Sequence, residues 1–580
     1  MTNKQIANFL YEIADMLDLK GDDSFRINAY KQAGRAIEYF GMDVEDLFLE
    51  KGIKGLLEIP GVGESIAQKI AEYIQFGKCK YYDDLKKDIA VVELQMMKIP
   101  QIGPKIARRL FQELNIKSLE DLEKKAKAGE IRKLKGFGVK VEENILKNLQ
   151  RLKKTEKRML LSFAEKLAQQ IIDYLKTCPQ ALKIYPVGSL RRMKETIGDI
   201  DIIVSSSNPQ AVIDFFCNFP AKKEVIAKGD TKASILHKIE DTRIDLEVLE
   251  EENFGSLLQH LTGSKDHNIQ LRTYAKKLGL SLSEYGILDI KTQKRETFKD
   301  EASFYKRLGL DYIPPELREA RGEIEAARRH SLPSLVELND IKGDLHLHSR
   351  WSEGILTVEE LAELVFLKGY LYIGICDHTS GLGIAKGVDH KIIEKQIKEI
   401  DSVNEKFKNK IRILKGVEVN IRADGSLDLP DSSLAKLDFA IASVHWAFRQ
   451  DEATMTQRII KAMKNPYVKI LGHPSGRLIF KREAYNVDWG KIFKAARQYN
   501  VAMEINSQPE RLDLNDGLIF EARKYNLLFV VNTDTHNKED LEEMKYGVAM
   551  ARRGWLEAKD ILNTKPLLEV LKFFKKGYNS

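Results

Sequence analysis

Cysteine is scarce in this chain: four in 580 residues, at 79, 178, 217 and 376, far apart and without a CxxC pair. That spacing excludes a disulfide framework and suits a reduced, cytoplasmic protein. Long apolar runs are missing too, so no segment is expected to span a bilayer. The first residues, MTNKQIANFLYEIADML, are polar and amphipathic and lack the apolar stretch of a signal peptide. A single core is excluded by length. With 43% hydrophobic and 31% charged residues, the composition is that of a globular protein built from several domains.

What is present is unevenly spread. The net charge is only +7, yet Lys98 to Arg158 holds 18 Lys/Arg against 8 Asp/Glu. Three stretches in or near this basic segment share a pattern: LLEIPGVGESIAQKI (56–70), MMKIPQIGPKIARRL (96–110) and IRKLKGFGVKVEENIL (131–146). Each reads as a helix, a glycine turn and a second amphipathic helix. Such turns point the first N–H groups of the second helix outward, a site for phosphate rather than for a base. The stretches resemble helix-hairpin-helix motifs, the third being the poorest match because no proline precedes its glycine. Gly61, Gly63, Gly103, Lys105, Gly136 and Gly138 are therefore the expected contacts to a DNA backbone.

In the middle of the chain, GSLRRMKETIGDIDIIV (188–204) ends in a strand that places Asp199 and Asp201 on one face. Two carboxylates about 6–7 Å apart along a strand repel unless a cation lies between them. A further candidate, Asp245, sits in the alternating strand TRIDLEVL, and three carboxylates suit a two-metal phosphoryl-transfer site. The order GS-x-RR-x5-GD-x-D, RID, LTGSKDHN (261–268) and R-x11-EYG (272–286) resembles the family X DNA polymerases, with a core like DNA polymerase beta.

The resemblance implies that Asp199, Asp201 and Asp245 bind Mg²⁺ or Mn²⁺ and that Asp245 helps activate the primer 3′-hydroxyl. Gly188, Ser189 and Arg192 would hold the β- and γ-phosphates of a dNTP, with Gly263 and Ser264 in the same nucleotide pocket. Asn268 would meet the minor-groove edge of the new base, and Arg272 would lie by the template. FRINAYKQAGRAI (25–37) is similar to that family's lyase domain, whose Schiff-base lysine falls on Lys69, with Arg26 and Tyr30 at supporting positions. Ser65 replaces a neighbouring lysine, so Lys69 is either a lyase nucleophile or a phosphate contact. His260-Leu261 stands where the family has Tyr-Phe beside the sugar.

After a charged joining segment (318–340), short apolar strands alternate with amphipathic helices, as in a β/α barrel. Expected strands are 371–376, 411–417, 438–443, 468–472, 501–505 and 527–532. Seven of the 11 histidines lie in this part, and six of the seven sit in polar motifs at the ends of apolar runs. DLHLHS, WSEG, CDHT, GVEVN, SVHW, GHPS and NTDTH supply His346, His348, Glu353, His378, Glu418, His445, His473, Asp534 and His536. Nine N/O ligands without a thiolate argue for two or three Mn²⁺, Zn²⁺ or Fe²⁺ ions. These motifs are similar to the polymerase and histidinol phosphatase (PHP) domain, a distorted (β/α)7 barrel that hydrolyses phosphoesters; the family commonly has Asp where Glu353 stands. Arg422 and Arg449 are candidate phosphate holders there.

The expected fold is thus multi-domain α+β and α/β. It has a helical lyase-like domain (1–90), a fingers-like helical domain (91–150), a nucleotidyltransferase palm (151–250), a thumb (251–317), the joining segment and a PHP domain (341–575). The expected enzyme is a monomer acting on gapped or primed DNA with dNTPs. It would fill gaps during base excision repair and cut back 3′ ends as a 3′–5′ exonuclease or phosphatase, with apurinic-site endonuclease activity as a further reading. Two alternatives stand: a barrel that is a small-molecule phosphatase, and an N-terminal half that only delivers the barrel to DNA.

Overall fold

A computed structural model describes all residues except 1–2, 39–43, 88, 98, 100–101, 156–157, 240, 381–386, 409 and 576–580. It divides into two compact units. One comprises Met1–Glu156 with His348–Thr357 and Asp377–Asp389; the other comprises Lys157–Leu347, Val358–Cys376 and His390–Ser580. Among the described residues no helix is long and apolar enough to cross a membrane.

Among the described residues, the N-terminal part of the first unit contains helices and no strand, from Asn3–Lys20 to Val139–Thr155. Their apolar faces meet in one core that runs from Ile6 to Leu149. Helix Glu64–Phe76 shows why the period works: Ile66, Ala67, Ile70 and Ala71 recur at helical spacing and are buried, while polar residues take the other face. The third glycine turn differs from the other two, because IRK forms only one 3₁₀ turn, Ile131–Lys133, before helix Val139–Thr155.

In the second unit the palm is a five-stranded sheet: β1 (Lys183–Pro186), β2 (Ile200–Ser205), β3 (Lys222–Lys228), β4 (Lys232–His237) and β5 (Arg243–Leu249), in the order β1-β2-β5-β4-β3. Only β2 and β5 run parallel, and their register sets Asp201 opposite Asp245. The thumb follows, with helices Phe254–Thr262 and Lys265–Lys277 and three short antiparallel strands. The joining segment is not a loose tether. Arg318 is fully buried, and Ile324 and Ala327 pack with Phe304, Tyr305 and Trp555 in the thumb's core.

The barrel strands are β6 (Gly343–Leu347), β7 (Tyr372–Ile375), β8 (Arg412–Lys415), β9 (Glu418–Asn420), β10 (Ala440–Ser443), β11 (Val468–Leu471), β12 (Ala502–Asn506) and β13 (Phe529–Asn532). All pair in parallel, β6 to β8 in one sheet and β9 to β13 in another. A bridge from Leu347 to Thr535 joins β6 to the segment after β13. Counting β8 and β9 as one strand broken at 416–417 leaves seven, which is the sense in which the barrel is distorted. Strands β7, β10, β11 and β13 are buried on both faces, as parallel strands covered by helices must be.

Candidate active sites

The palm site grows from two neighbouring strands. Asp199 precedes β2, Asp201 lies on β2 and Asp245 on β5. One carboxylate oxygen of each lies within 4.8 Å of the other two. Burial, then the charges of Asp199 and Asp245, push the Asp201 carboxyl up to about 7. Arg243 Nε, 3.0 Å from Asp245 Oδ1, offsets only part of that charge, and Ser234 Oγ donates to the same oxygen. Three oxygens this close suit a hard divalent cation, which would reverse the upward shift. Gly188 makes the approach feasible: its φ is +62°, and a Cβ there would stand 2.6 Å from Asp201 Oδ2.

Ser189 and Arg192, on the turn after β1, line a cavity of about 410 Å³. Arg158 and Lys194 line it as well; in the sequence Arg158 reads only as the end of the basic run, and Lys194 carries no assigned role. A second cleft, of about 340 Å³, is lined by Arg192, His260, Leu261, Gly263, Lys265, Asn268, Ile269 and Arg272. Ser264 caps helix Lys265–Lys277 by accepting from His267 N at 3.2 Å. Asn268 is fixed at both ends of its amide, donating to the His260 carbonyl at 2.7 Å and accepting from Gln259 at 2.9 Å. Arg272 Nη2 lies 3.4 Å from His260 Nδ1.

In the helical unit Gly63 and Gly103 are extended N-cap residues, and Gly61 and Gly136 have φ of +80° and +85°. The first N–H groups of the helices they open have no acceptor within their own helix. Lys105 is exposed on the first turn of its helix, and Val141 N donates to the Gly138 carbonyl. Pro100 and Gln101 of the second turn fall outside the described residues. Lys69 donates to Ser65 O at 2.9 Å and Ser65 Oγ at 2.8 Å, and its Nζ lies 4.8 Å from the centre of the Tyr81 ring. Arg26 donates to Tyr81 Oη at 2.7 Å, and Tyr30 stacks on Tyr81. Burial lowers the Lys69 pKa below that of an ordinary lysine, and the Arg26 charge adds to the shift.

The barrel ligands fall into two groups. In the second unit Glu418 is the centre: His473 Nε2 lies 3.0 Å and His445 Nε2 3.4 Å from its Oε1, and His346 Nε2 lies 3.3 Å from its Oε2. Asp534 Oδ1 is 3.7 Å from the same His346 nitrogen. The opposite ring nitrogens face groups that accept protons. His346 Nδ1 is 2.7 Å from Glu504 Oε1, His445 Nδ1 2.6 Å from Asn420 Oδ1, and His536 Nδ1 2.8 Å from the Asp534 carbonyl. A protonated Nδ1 leaves Nε2 with a lone pair, the tautomer a metal ligand needs. The donor set therefore fits a divalent cation of the kind the sequence predicts. Burial opposes a charge on the His346 ring, but Glu504, Asp534 and Glu418 together raise its pKa well above the usual value. His473 and Asp534 have φ of 25° and 54°, a strain of about 1–3 kcal/mol each that clusters at functional sites.

In the first unit His348, Glu353 and His378 offer ligand atoms within 4.8 Å of one another. His378 Nε2 is 2.7 Å from Glu353 Oε1, and the His348 and His378 rings lie 4.6 Å apart. Asp377 holds the loop of WSEG by accepting from Ser349 N, Ser349 Oγ and Ser352 Oγ at 2.5–2.7 Å.

Three features were missed by sequence reasoning. Glu504 orients His346 and also accepts from His473 N at 2.6 Å; its signal is a lone carboxylate inside the apolar strand VAMEIN. Asp344, which shares a face with His346 on paper, instead accepts from Thr533 Oγ1 at 2.6 Å and Thr533 N at 3.2 Å, bracing the NTDTH segment. Arg422 and Arg449 are exposed, whereas Arg511 Nε lies 3.8 Å from Asp534 Oδ2.

A palm carboxylate triad beside a nucleotide-sized cleft, and a histidine-rich site at the strand ends of a barrel, define a two-site phosphoryl-transfer protein. Comparison with known proteins agrees. Residues 1–79 match a helix-hairpin-helix domain, 93–151 a SAM-like helix-hairpin-helix tandem, 257–319 the DNA polymerase beta thumb and 344–508 the PHP domain. The DNA polymerase/3′-5′ exonuclease PolX of Bacillus subtilis is 38% identical over 578 residues, covering 100% of both chains. A probable phosphatase of Thermoanaerobacter sp. is 32% identical over 38% of this chain and 89% of its own. Another, from Caldanaerobacter subterraneus, is 36% identical over 28% of this chain and 61% of its own. The chain belongs to the family X DNA polymerases that carry helix-hairpin-helix domains and a C-terminal PHP domain.

Proposed function

We propose that this chain is a DNA polymerase with a second, 3′–5′ exonuclease site in its PHP domain, both dependent on divalent metal ions. The observation that carries the first activity is the Asp199/Asp201/Asp245 cluster beside Ser189 and Arg192. For the second it is the set of three histidines, His346, His445 and His473, whose Nε2 atoms converge on Glu418, the first two held through Nδ1. Asp199, Asp201 and Asp245 would hold Mg²⁺ or Mn²⁺. The nine barrel residues His346, His348, Glu353, His378, Glu418, His445, His473, Asp534 and His536 would hold two or three Mn²⁺, Zn²⁺ or Fe²⁺ ions. Such ions polarise a phosphoryl oxygen and lower the pKa of bound water.

The chain's own groups do the rest. Ser189, Arg192, Gly263 and Ser264 would seat the triphosphate, and Asn268 the base. Asp245 would accept the primer hydroxyl proton. Gly61, Gly63, Gly103, Lys105, Gly136 and Gly138 would bind phosphates of the duplex, and Arg272 the template. We assign the substrate as gapped or primed DNA and the role as gap filling in repair. We read the working state as a monomer and its place as the cytoplasm; the four cysteines are buried and form no disulfide, which suits a reducing compartment. The domain limits proposed from the sequence suit these roles.

A 5′-labelled primer on a one-nucleotide gap tests the reading. It should lengthen by one with the templated dNTP and shorten from its 3′ end without dNTPs; a primer unchanged in both conditions would refute it. The small-molecule phosphatase alternative predicts no shortening of DNA at all, and the delivery-module alternative no lengthening.

The Arg26–Tyr81–Lys69 cluster supports a lyase role for Lys69. Borohydride trapping of an abasic 5′-phosphate end should reach its plateau at a pH below that expected of an ordinary lysine, and should vanish in Lys69→Ala. Trapping unaffected by that substitution would make Lys69 a phosphate contact.

A further inference from the structure

We infer that Arg553, which belongs to the barrel, is a positioning residue of the polymerase site, where it sets the Arg192 turn for nucleotide phosphate. Arg553 ends helix Met544–Arg553, and its side chain is only 2% exposed. Its Nη1 donates to the Arg192 carbonyl at 2.6 Å and to Glu319 Oε1 at 3.1 Å, and its Nη2 donates to Asp516 Oδ2 at 2.6 Å. The same Glu319 oxygen accepts from Arg192 Nε at 3.0 Å. Arg553 therefore grips Arg192 twice, directly through its backbone and through a shared carboxylate on its side chain. Arg553 and Asp516 also line the 410 Å³ cavity that holds Ser189, Arg158 and Lys194.

The helix is tied to the polymerase half along its length. Lys545 Nζ and Tyr546 Oη donate to Glu165 at 2.5 and 2.7 Å, and Arg552 Nε donates to Glu316 at 2.7 Å. Met544, Val548 and Met550 of the same helix are buried as well. The electrostatics give Arg553 a specific task. Two guanidinium groups share Glu319, so neither is bound by its full charge. Without Arg553, Glu319 would keep only Arg192 at hydrogen-bond distance, with the part-exposed Lys194 at 3.8 Å from its other oxygen, and the attraction on Arg192 would strengthen in so dry a site. Arg192 would be drawn toward Glu319 and away from an incoming phosphate, and its carbonyl would lose a buried donor.

This inference rests on the proposed reading of Arg192 as a phosphate ligand, and the test separates the two. The measurement is steady-state gap filling with Mg²⁺ in the full-length protein, alongside 3′-end degradation and thermal unfolding. Arg553→Ala should raise the dNTP KM about tenfold with kcat within about threefold, and leave degradation within about twofold. Arg553→Lys, which keeps the charge without the fork, should recover part of the loss. Arg192→Ala should raise KM at least as much. An unchanged KM in Arg192→Ala would sink the phosphate reading. A raised KM there with an unchanged KM in Arg553→Ala would overturn the inference, as would a parallel loss of both activities. If Arg553→Ala does not fold, Asp516→Asn decides: a KM rise of about threefold supports the role, and none overturns it.

Discussion

Replacing Asp201 by alanine is expected to reduce primer extension by about a thousandfold or more, while 3′-end degradation continues. The size follows from the geometry. Asp201 is one of three carboxylates within 4.8 Å, and burial and its two acidic neighbours make its ionised form costly without a cation. It contributes an oxygen at the point where Asp199 and Asp245 converge, set there by the β2–β5 register. Metal ions at such a site supply several kcal/mol of charge stabilisation, and each 1.4 kcal/mol is tenfold in rate. The substitution should be well tolerated by the fold, since it removes charge repulsion and leaves the strand's buried Ile200 and Ile202 in place. Measured kcat/KM for a templated dNTP on a gapped duplex checks it; a loss under tenfold would remove Asp201 from the metal site.

The reverse effect is expected for His346→Ala: 3′-end degradation falls by at least about a hundredfold, with extension retained. His346 faces Glu418 and Asp534 with one ring nitrogen and Glu504 with the other, so its loss leaves three carboxylates without the imidazole between them. Glu504→Gln is informative beside it. The amide can still accept from Nδ1 but carries no charge, so a milder loss of about 10–100-fold is expected from a residue that orients a ligand. Release of labelled 3′ nucleotide from single-stranded DNA, with the metal content of each purified variant, distinguishes the two effects. Equal losses would place Glu504 among the ligands themselves.

The sequence made these sites legible because their ligands sit at ends of regular strands. At the ends of β2 and β6, DID and HLH alternate polar with apolar residues, and a period of two is read directly from the letters. The barrel strands were recognisable for the same reason: parallel strands buried on both faces appear as short apolar blocks. What stayed hidden depended on distant parts of the chain meeting. Glu504 looks like a stray acid in a strand until His346 is seen 158 residues away in sequence. Asp344 shares the DLHLHS alternation but is consumed by Thr533. The segment 318–340 reads as a charged linker, yet Arg318 is buried against Glu301 at 2.5 Å and Glu319 joins Arg192 to Arg553. Charge in a joining segment suggests solvent exposure; only tertiary partners show that it is buried and paired.

The most direct test of the central claim, that one chain carries two separable phosphoryl-transfer sites, is a single gel. A 5′-labelled primer on a gapped template is incubated with wild type, Asp201→Ala or His346→Ala, with and without dNTPs. Asp201→Ala should only shorten the primer, and His346→Ala should only lengthen it. One substitution that abolishes both reactions, or neither substitution abolishing its own, would contradict it.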